Sequence, residues 1–340
     1  MSSIIKKLNK SVMIIAEVSA NHKQDFNLAV RLIKKAKECG ADAVKFQTYT
    51  PDTMTIDIDN RYFGIKHPKW GNQTLYQLYQ KAYTPWHWFK KLKRVADDIG
   101  IMFFSTAYDR TAVDLLEEID VPVHKISSFE LVDLPLIKYA ARTKKPIIMS
   151  TGLADLHEIR RAVDAAKKAG AKDIILLKCV SNYPAEPETM NLNTIPHMKK
   201  FFKCPIGFSD HTLGIAASIT AVSLGARLIE KHFTLSRKIN TLDNFYSTEP
   251  AELRELVKNV RIAEKALGKV YYGLTSKSRK RRRSLFIIKD MRKGETLIYE
   301  NVKSIRPGDG LAPKYLDDIL GRKIKKDIKK GTPLSWKVII

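Results

Sequence analysis

The first 265 or so residues alternate short apolar runs with amphipathic stretches of helical spacing. The apolar runs read as buried strands at residues 12–17, 43–47, 101–106, 123–127, 146–151, 173–178, 204–208 and 226–231. Gly40, Gly100 and Gly170 stand where three of the intervening helices should end. Eight strand-then-helix units in succession predict an α/β fold, namely a closed (β/α)8 TIM barrel rather than an open doubly wound sheet. The sequence also lacks the dinucleotide-binding pattern GxGxxG, which disfavours a Rossmann domain.

Polar or charged residues lie at the end of every predicted strand. The residues, strand by strand, are Glu17, Asn21 and His22; Lys45 and Gln47; Ser105 and Thr106; Lys125, Ser128 and Glu130; Ser150 and Thr151; Lys178, Ser181 and Tyr183; Ser209, Asp210 and His211; and Glu230, Lys231 and His232. The active site of such a barrel forms at the carboxyl ends of its strands, where these residues converge. Lys45 and Lys125 are the most informative, because they interrupt otherwise apolar strands.

Two kinds of site are consistent with this inventory. Lysines and serines together suit a multiply charged anion such as a phosphate, and the candidates are Lys45, Lys125, Ser128, Ser150, Ser181 and Ser209. The alternative is that the lysines are merely paired with buried carboxylates. His211 and His232 end the seventh and eighth strands, so two imidazoles could share one divalent metal such as Mn²⁺ or Zn²⁺. A purely structural role for the two histidines is the alternative here.

The pattern changes near Ser284, where short strands are broken by Gly and Pro turns. This part contains a degenerate repeat, KDMRKGETL at 289–297 and KDIKKGTPL at 326–334. We therefore predict a barrel over residues 1–265, a linker over 266–283 and a small β-rich domain over 284–340.

Composition and charge narrow the functional classes. No stretch approaches the roughly 20 apolar residues that a membrane span needs, and we expect a cytoplasmic protein. The net charge is +24, and the residues from Lys277 onward carry 19 Lys and Arg against 7 Asp and Glu. The cluster KSRKRRR could bind nucleic acid, in which case the barrel would be a relict. We favour a solvated interdomain linker, because no aromatic-interleaved basic motif or zinc-finger spacing accompanies the cluster.

Nine segments together resemble the sialic acid synthase (N-acetylneuraminate synthase-like) family: IIAEVSANH, VKFQTYTPDTMT, FFSTAY, KISSFE, MSTGL, SNYP, GFSDHTLG, IEKHFTL and IRPGDGL. The resemblance runs from about residue 11 to 335, and its C-terminal part looks like the SAF, or antifreeze-like, domain. It implies condensation of phosphoenolpyruvate with an amino sugar. QTYTPDTMT and residues 70–88 look most similar to pseudaminic acid synthases, which use 2,4-diacetamido-2,4,6-trideoxy-L-altrose and water and release pseudaminic acid and phosphate. Neuraminate and legionaminate synthesis are the alternatives.

The resemblance also implies a role for individual residues. Phosphoenolpyruvate would be surrounded by Lys45, Thr106, Lys125, Ser128, Ser150, Ser181 and Ser209. The sugar would be bound by Gln47, Glu130, Tyr183, Asp243 and Arg306. His211 and His232 would hold the metal, with Mn²⁺ expected and Mg²⁺ or Co²⁺ as alternatives. Glu17 would handle the proton of the attacking water, and with Lys45, Lys125 and the two histidines it completes the expected catalytic set. A homodimer is implied, in which the C-terminal domain covers the partner's active site.

Overall fold

Eight parallel strands close into a barrel in the computed structural model, which describes residues 2–340. The strands of the chain are β1 (Met13–Glu17), β2 (Ala43–Thr48), β3 (Gly64–His67), β4 (Gly71–Thr74), β5 (Met102–Ala107), β6 (His124–Ile126), β7 (Ile147–Ser150), β8 (Ile174–Cys179), β9 (Ile206–Asp210), β10 (Leu228–His232), β11 (Ser284–Ile287) and β12 (Val302–Ile305). The barrel order is β1-β10-β9-β8-β7-β6-β5-β2, so each predicted apolar run supplies one barrel strand. The predicted (β/α)8 barrel is confirmed.

A helix follows every barrel strand. The helices are α1 (Ser3–Lys10), α2 (Phe26–Glu38), α3 (Pro51–Met54), α4 (Leu75–Ala82), α5 (Phe89–Asp98), α6 (Arg110–Glu118), α7 (Leu134–Arg142), α8 (Leu156–Lys168), α9 (Thr194–Phe202), α10 (Ala216–Ser223), α11 (Pro250–Leu267), α12 (Ser276–Lys280) and α13 (Leu316–Ile319). Local chemistry sets their ends: the Asp25 carboxylate accepts hydrogen bonds from the first backbone N–H groups of α2, and Gly40, at φ +89°, follows its last turn.

The strands are buried on both faces, which explains why they read as continuous apolar runs. Phe46, Phe103 and Phe208 are at most 1% exposed in the barrel core. Helix α1, which the sequence analysis did not identify, packs Ile4 and Leu8 into this core. The Arg227 guanidinium donates to the Leu8 carbonyl oxygen at 2.6 Å, and Lys7 pairs with Asp42 at 3.0 Å. Asp42 and Arg227 precede β2 and β10, so α1 lies at the amino ends of the strands, away from the predicted site.

Residues 51–82 form an insertion between β2 and α5 that contains α3, α4 and the antiparallel hairpin of β3 and β4. The Trp70 indole N–H donates to the Leu242 carbonyl oxygen at 2.9 Å, which ties the hairpin to the loop after β10. The insertion therefore extends over the carboxyl ends of the strands.

The chain divides into two compact units, residues 1–268 and 269–340. The second unit has its own apolar core, in which Leu285, Leu297 and Ile324 are fully buried. The two repeat copies pair with each other, because the backbones of Met291 and Ile328 exchange two hydrogen bonds of 2.8 Å. Across the described residues, no helix combines the length and apolar character that crossing a membrane requires.

Candidate active site

A small cavity of about 60 Å³ lies at the carboxyl ends of the barrel strands. Its lining consists of Glu17, Lys45, Gln47, Thr106, Tyr108, Lys125, Ser127, Ser128, Phe129, Ser150, Cys179, Tyr183, Ser209, His211, Glu230 and His232. All five residues of the expected catalytic set are among them, as are six of the seven predicted for phosphoenolpyruvate. The barrel register explains the convergence, since Glu17 stands beside both Lys45 and His232, and Ser209 stands beside both Cys179 and Glu230.

Lys45 is held between a carboxylate and a hydroxyl group. Its Nζ lies 2.8 Å from Glu17 Oε2 and donates to Thr106 Oγ1 at 2.9 Å, while Glu230 Oε2 lies 3.8 Å away. Burial disfavours the charge on this amine, but the facing carboxylates of Glu17 and Glu230 prevail and raise the pKa of Lys45. Lys45 is therefore a permanent cation in the cavity.

Glu17 differs from an ordinary surface carboxylate. Burial, together with the nearby charge of Glu230, raises the pKa of Glu17 to about 7 in spite of Lys45. Gln47 Nε2 donates to Glu17 Oε1 at 3.0 Å and so fixes the orientation of the carboxyl group. A carboxyl group with a pKa near neutrality can both accept and return a proton during a reaction.

Lys125 supplies the second cation. Its Nζ donates to Ser150 Oγ at 2.7 Å and to the Ile126 carbonyl oxygen at 3.1 Å, and Glu230 Oε1 lies 3.9 Å away. Burial lowers the pKa of Lys125, although Glu230 opposes this. Glu230 also accepts from Ser209 Oγ at 3.0 Å, and the two lysines lower its pKa against the effect of burial. The lysines are thus partly paired with carboxylates, as the alternative interpretation required, yet both face the cavity.

Hydroxyl groups complete one wall around Gly152. The Gly152 backbone N–H donates to Ser128 Oγ at 3.0 Å. A β-carbon placed on Gly152 would lie 2.6 Å from Ser181 Oγ, 3.0 Å from Ser128 Oγ and 3.1 Å from Cys179 Sγ. Gly152 therefore has no room for a side chain beside these three groups, of which Ser128 and Cys179 line the cavity. Ser181 does not line the cavity itself but lies beside Gly152.

His211 and His232 face each other across adjacent strands, with ring centroids 5.3 Å apart. His211 Nδ1 donates to the Val180 carbonyl oxygen at 2.8 Å, so Nε2 is the nitrogen left to bind a ligand. Burial lowers the pKa of His211, but the nearby Cys179 and the Val180 hydrogen bond outweigh burial and raise that pKa. His232 Nδ1 is buried and has no hydrogen-bond partner among residues 2–340. Burial and the nearby His211 keep the pKa of His232 well below its usual range, so its imidazole is neutral.

This pair fits a divalent metal with open coordination positions. A deprotonated imidazole nitrogen is a good ligand for such ions, and the unpartnered buried Nδ1 of His232 is the kind of atom that a ligand would satisfy. Within residues 2–340, no group of three or more His, Cys, Asp or Glu side chains is arranged to hold a metal ion. The remaining ligands would therefore have to be water or substrate atoms.

A second and larger cavity, of about 430 Å³, adjoins the first. Gln47, Glu130, Tyr183 and Asp243, four of the five residues predicted to bind the sugar, line it. The fifth, Arg306, lies in the second unit, where it is exposed immediately after β12. Its contact with the sugar stays a prediction.

Glu230, Cys179 and the pair of Asp210 and Lys231 were not assigned a role from the sequence. Lys231 Nζ lies 2.9 Å from Asp210 Oδ2, and both side chains are at most 2% exposed. Strand alternation could have revealed this pair, because Asp210 lies between Ser209 and His211, just as Lys231 lies between Glu230 and His232. The residues on either side line the cavity, so the pair points the other way, towards Ser218 of α10.

Comparison with known proteins decides the family. Residues 32–272 match the NeuB family, and residues 282–339 match the SAF domain. The chain belongs to the NeuB family. The resemblance to the sialic acid synthase family and the predicted SAF domain are therefore confirmed. A NeuB protein with its buried lysines, histidines and hydroxyl groups all in place is not the relict barrel that a nucleic-acid-binding role would imply.

The NeuB relatives resemble the chain over nearly its whole length. The pseudaminic acid synthase of Helicobacter pylori is 43% identical over 326 residues, which are 95% of this chain and 96% of that protein. The N,N'-diacetyllegionaminic acid synthase of Legionella pneumophila is 36% identical over 337 residues, 96% of this chain and 94% of that protein. The N-acetylneuraminic acid synthetase of Leptospira borgpetersenii, crystallised with citrate, superposes with a TM-score of 0.71 at 34% identity, covering 79% of this chain and 89% of that one.

Proposed function

We propose that this protein is a pseudaminic acid synthase, which condenses phosphoenolpyruvate with 2,4-diacetamido-2,4,6-trideoxy-L-altrose and water to give pseudaminic acid and phosphate. The observation that carries the proposal is the small cavity with two buried lysines, Lys45 and Lys125, which opens beside a cavity large enough for a sugar. The identity of 43% with the Helicobacter pylori pseudaminic acid synthase supports the choice of product. Because phosphoenolpyruvate is an intracellular metabolite, we place the enzyme in the cytoplasm.

The small cavity suits phosphoenolpyruvate. Lys45 and Lys125 supply positive charge, and the hydroxyl groups of Thr106, Ser128 and Ser150 supply hydrogen-bond donors around them. A buried cation placed in advance stabilises negative charge far more than one in water, because the surroundings cannot screen it and need not reorganise. As phosphate departs from C2, the charge that accumulates on its oxygens is stabilised by these groups.

Glu17 suits the proton transfer. C3 of phosphoenolpyruvate bonds to the aldehyde carbon of the open-chain sugar, and the aldehyde oxygen becomes a hydroxyl group. Water adds at C2, and the C2 hydroxyl group then becomes a ketone as the C–O bond to phosphate breaks and the hydroxyl proton leaves with the phosphate. Glu17, with its pKa near 7, accepts the proton of the attacking water and returns it for the new hydroxyl group. The Gln47 hydrogen bond keeps the accepting carboxyl group in position.

His211 and His232 would hold the divalent metal, for which we propose Mn²⁺, with Mg²⁺ or Co²⁺ as substitutes. When bound there, the ion would act as a Lewis acid towards the aldehyde oxygen. The two imidazoles keep their place through the Val180 carbonyl oxygen and through Tyr183, whose ring centroid is 4.4 Å from that of His211.

Turnover of a panel of sugars tests the proposed reaction. Phosphate release should require phosphoenolpyruvate, a divalent metal and an amino sugar. Comparing kcat/KM for the trideoxy sugar and for N-acetylmannosamine decides the subtype. Faster turnover of N-acetylmannosamine would reassign the protein to neuraminate synthesis, and preference for the epimer that gives legionaminate would reassign it to that pathway.

We further propose a homodimer in which Arg306 of one chain reaches the sugar in the active site of the other. The guanidinium fork can bridge hydroxyl and acetamido oxygens from outside the barrel. Mixing an Arg306→Ala chain with a Lys125→Ala chain, each inactive alone, should restore part of the activity, because some heterodimers then hold one intact site. Failure to recover activity once subunit exchange has been demonstrated would refute the shared site.

A further inference from the structure

The larger cavity differs in chemistry from the small one. No lysine or arginine of the described chain lines it, whereas the small cavity has two lysines. Its lining consists of Ser19, Ala20, Gln47, Tyr49, Met54, Ile65, Trp70, Leu75, Leu78, Tyr79, Ala82, Tyr108, Phe129, Glu130, Tyr183, His232, Leu242, Asp243 and Tyr246. Such a lining suits a ligand with both hydrogen-bonding and methyl groups, and the lining itself supplies no cation to a phosphorylated sugar.

The apolar part of the lining comes from one segment. All seven lining residues of the 51–82 insertion are apolar or aromatic, namely Met54, Ile65, Trp70, Leu75, Leu78, Tyr79 and Ala82. Among these seven side chains, only that of Trp70 has an N–H group. This indole N–H already donates to the Leu242 carbonyl oxygen. A sugar hydroxyl group pressed against the aliphatic members of this wall would lose its hydrogen bonds to water and gain none.

The position of the wall relative to the chemistry is fixed by residues common to both cavities. These are Gln47, Tyr108, Phe129, Tyr183 and His232. The aldehyde carbon of the sugar must lie at this junction, where phosphoenolpyruvate can reach it. The wall of residues 51–82 contributes nothing to the small cavity, so it faces the carbons remote from the aldehyde.

Uncharged phenols lie in the wall, at Tyr79, and beside it, at Tyr49 and Tyr108. Tyr49 is 3% exposed, and its ring centroid lies 5.6 Å from that of Tyr79 and 5.2 Å from that of Tyr108. Burial raises the pKa of each of these three phenols, so they remain neutral hydrogen-bonding groups. A neutral hydroxyl group can pair with an acetamido group while the acetamido methyl packs on aliphatic carbon.

We infer that the wall formed by residues 51–82 is a specificity subsite for the methyl-bearing, remote end of an N-acylated deoxy sugar. This inference rests on the proposed function and adds the residues that select this class of sugar. The subsite accepts a terminal methyl group, and it rejects a sugar with a terminal hydroxyl or phosphate group. A buried polar group left without a partner lowers kcat/KM by about 10- to 100-fold.

Ile65 offers the cleanest test, because it is only half-buried, on β3, and a polar residue there should leave the barrel folded. Ile58→Asn is the matched control: Ile58 belongs to the same insertion, is 42% exposed and lines neither cavity. kcat/KM is measured by phosphate release for the trideoxy sugar, N-acetylmannosamine and N-acetylmannosamine 6-phosphate. In Ile65→Asn, the preference for the trideoxy sugar over N-acetylmannosamine should fall by about 10-fold or more, with KM for phosphoenolpyruvate unchanged.

The Ile58→Asn control should keep the wild-type preference. Leu75→Gln is a second wall variant in case Ile65→Asn does not fold. If folded wall variants keep the wild-type preference, the subsite is refuted even though the synthase reaction stands. If the wild-type enzyme releases no phosphate from phosphoenolpyruvate with any of the three sugars, the proposed function itself fails.

Discussion

The buried ion pair of Asp210 and Lys231 supports a quantitative prediction about stability. Lys231 Nζ contacts Asp210 Oδ2 at 2.9 Å and donates to the Thr212 carbonyl oxygen at 2.7 Å. The Asp210 carboxylate has three further donors: the Thr212 backbone N–H, the Thr212 hydroxyl group and the Ser218 hydroxyl group. Both charged side chains are at most 2% exposed, so neither can turn to water when its partner is removed.

The two single substitutions should therefore differ in size. Removing one member of a buried pair costs about 3 to 5 kcal/mol, because the other charge stays buried and unpaired. Lys231→Met leaves the Asp210 carboxylate with three hydrogen-bond donors, so we expect a loss of stability near the lower value. Asp210→Asn takes the paired carboxylate from a buried ammonium group that also donates to the Thr212 carbonyl oxygen, so we expect a loss nearer the upper value. The double variant removes both charges and should be less destabilised than the two losses added together.

Urea denaturation followed by tryptophan fluorescence measures these losses, since three of the four tryptophans, Trp70, Trp86 and Trp88, lie in the barrel unit. Lys329→Met is the control, because Lys329 and its partner Asp290 are 86% and 59% exposed and an exposed pair adds little to stability. If the Lys231→Met protein unfolded at the same urea concentration as the control, the reasoning would be refuted. Additive losses in the double variant would also refute it.

Three other changes have defined outcomes. His211→Ala and His232→Ala should each abolish metal-dependent turnover and weaken Mn²⁺ binding in calorimetry, and full activity of the double variant in chelator would contradict this. Gly152→Ala should raise KM for phosphoenolpyruvate about 10- to 100-fold, because its methyl group would lie 2.6 Å from Ser181 Oγ; an unchanged KM would show that the wall does not contact this substrate. Burial lowers the pKa of His22 to about 4, below an unfolded value near 6.5, so the unfolded chain binds the extra proton. Stability should fall by up to about 3 kcal/mol as the pH drops from 6.5 to 4, and the His22→Asn protein should lack this component in urea denaturation across that range.

The barrel could be predicted because its determinants are local. Each strand is buried on both faces, so it appears in the sequence as an apolar run, and polar residues interrupt the run only where it reaches the site. Lys45 and Lys125 stood out for this reason. The roles of the carboxylates were harder to assign, because Glu230 acts through its distances to Lys45 and Lys125, which depend on strand register rather than on sequence spacing.

The insertion could not be predicted in the same way. Its hairpin strands, GIKH and GNQT, are short, polar at most positions and partly exposed, so they carry no strand pattern. Their place depends on the contact of Trp70 with Leu242, which is 172 residues away in the chain. Arg306 presents a similar difficulty, since its exposed position after β12 says nothing about which substrate atom it would reach.

The small cavity suits the substrate that stays the same, and the larger cavity suits the sugar, which varies. The small cavity is bounded by side chains of the barrel strands, whose register fixes Glu17, Lys45 and His232 beside one another, so it suits the invariant partner, phosphoenolpyruvate. Much of the larger cavity is bounded by residues 51–82, which form no part of the barrel and can change without disturbing it. Substitutions in this insertion should therefore alter the choice of sugar while the phosphate chemistry is preserved. A change such as Ile65→Asn separates the two properties, whereas a change at Lys125 cannot.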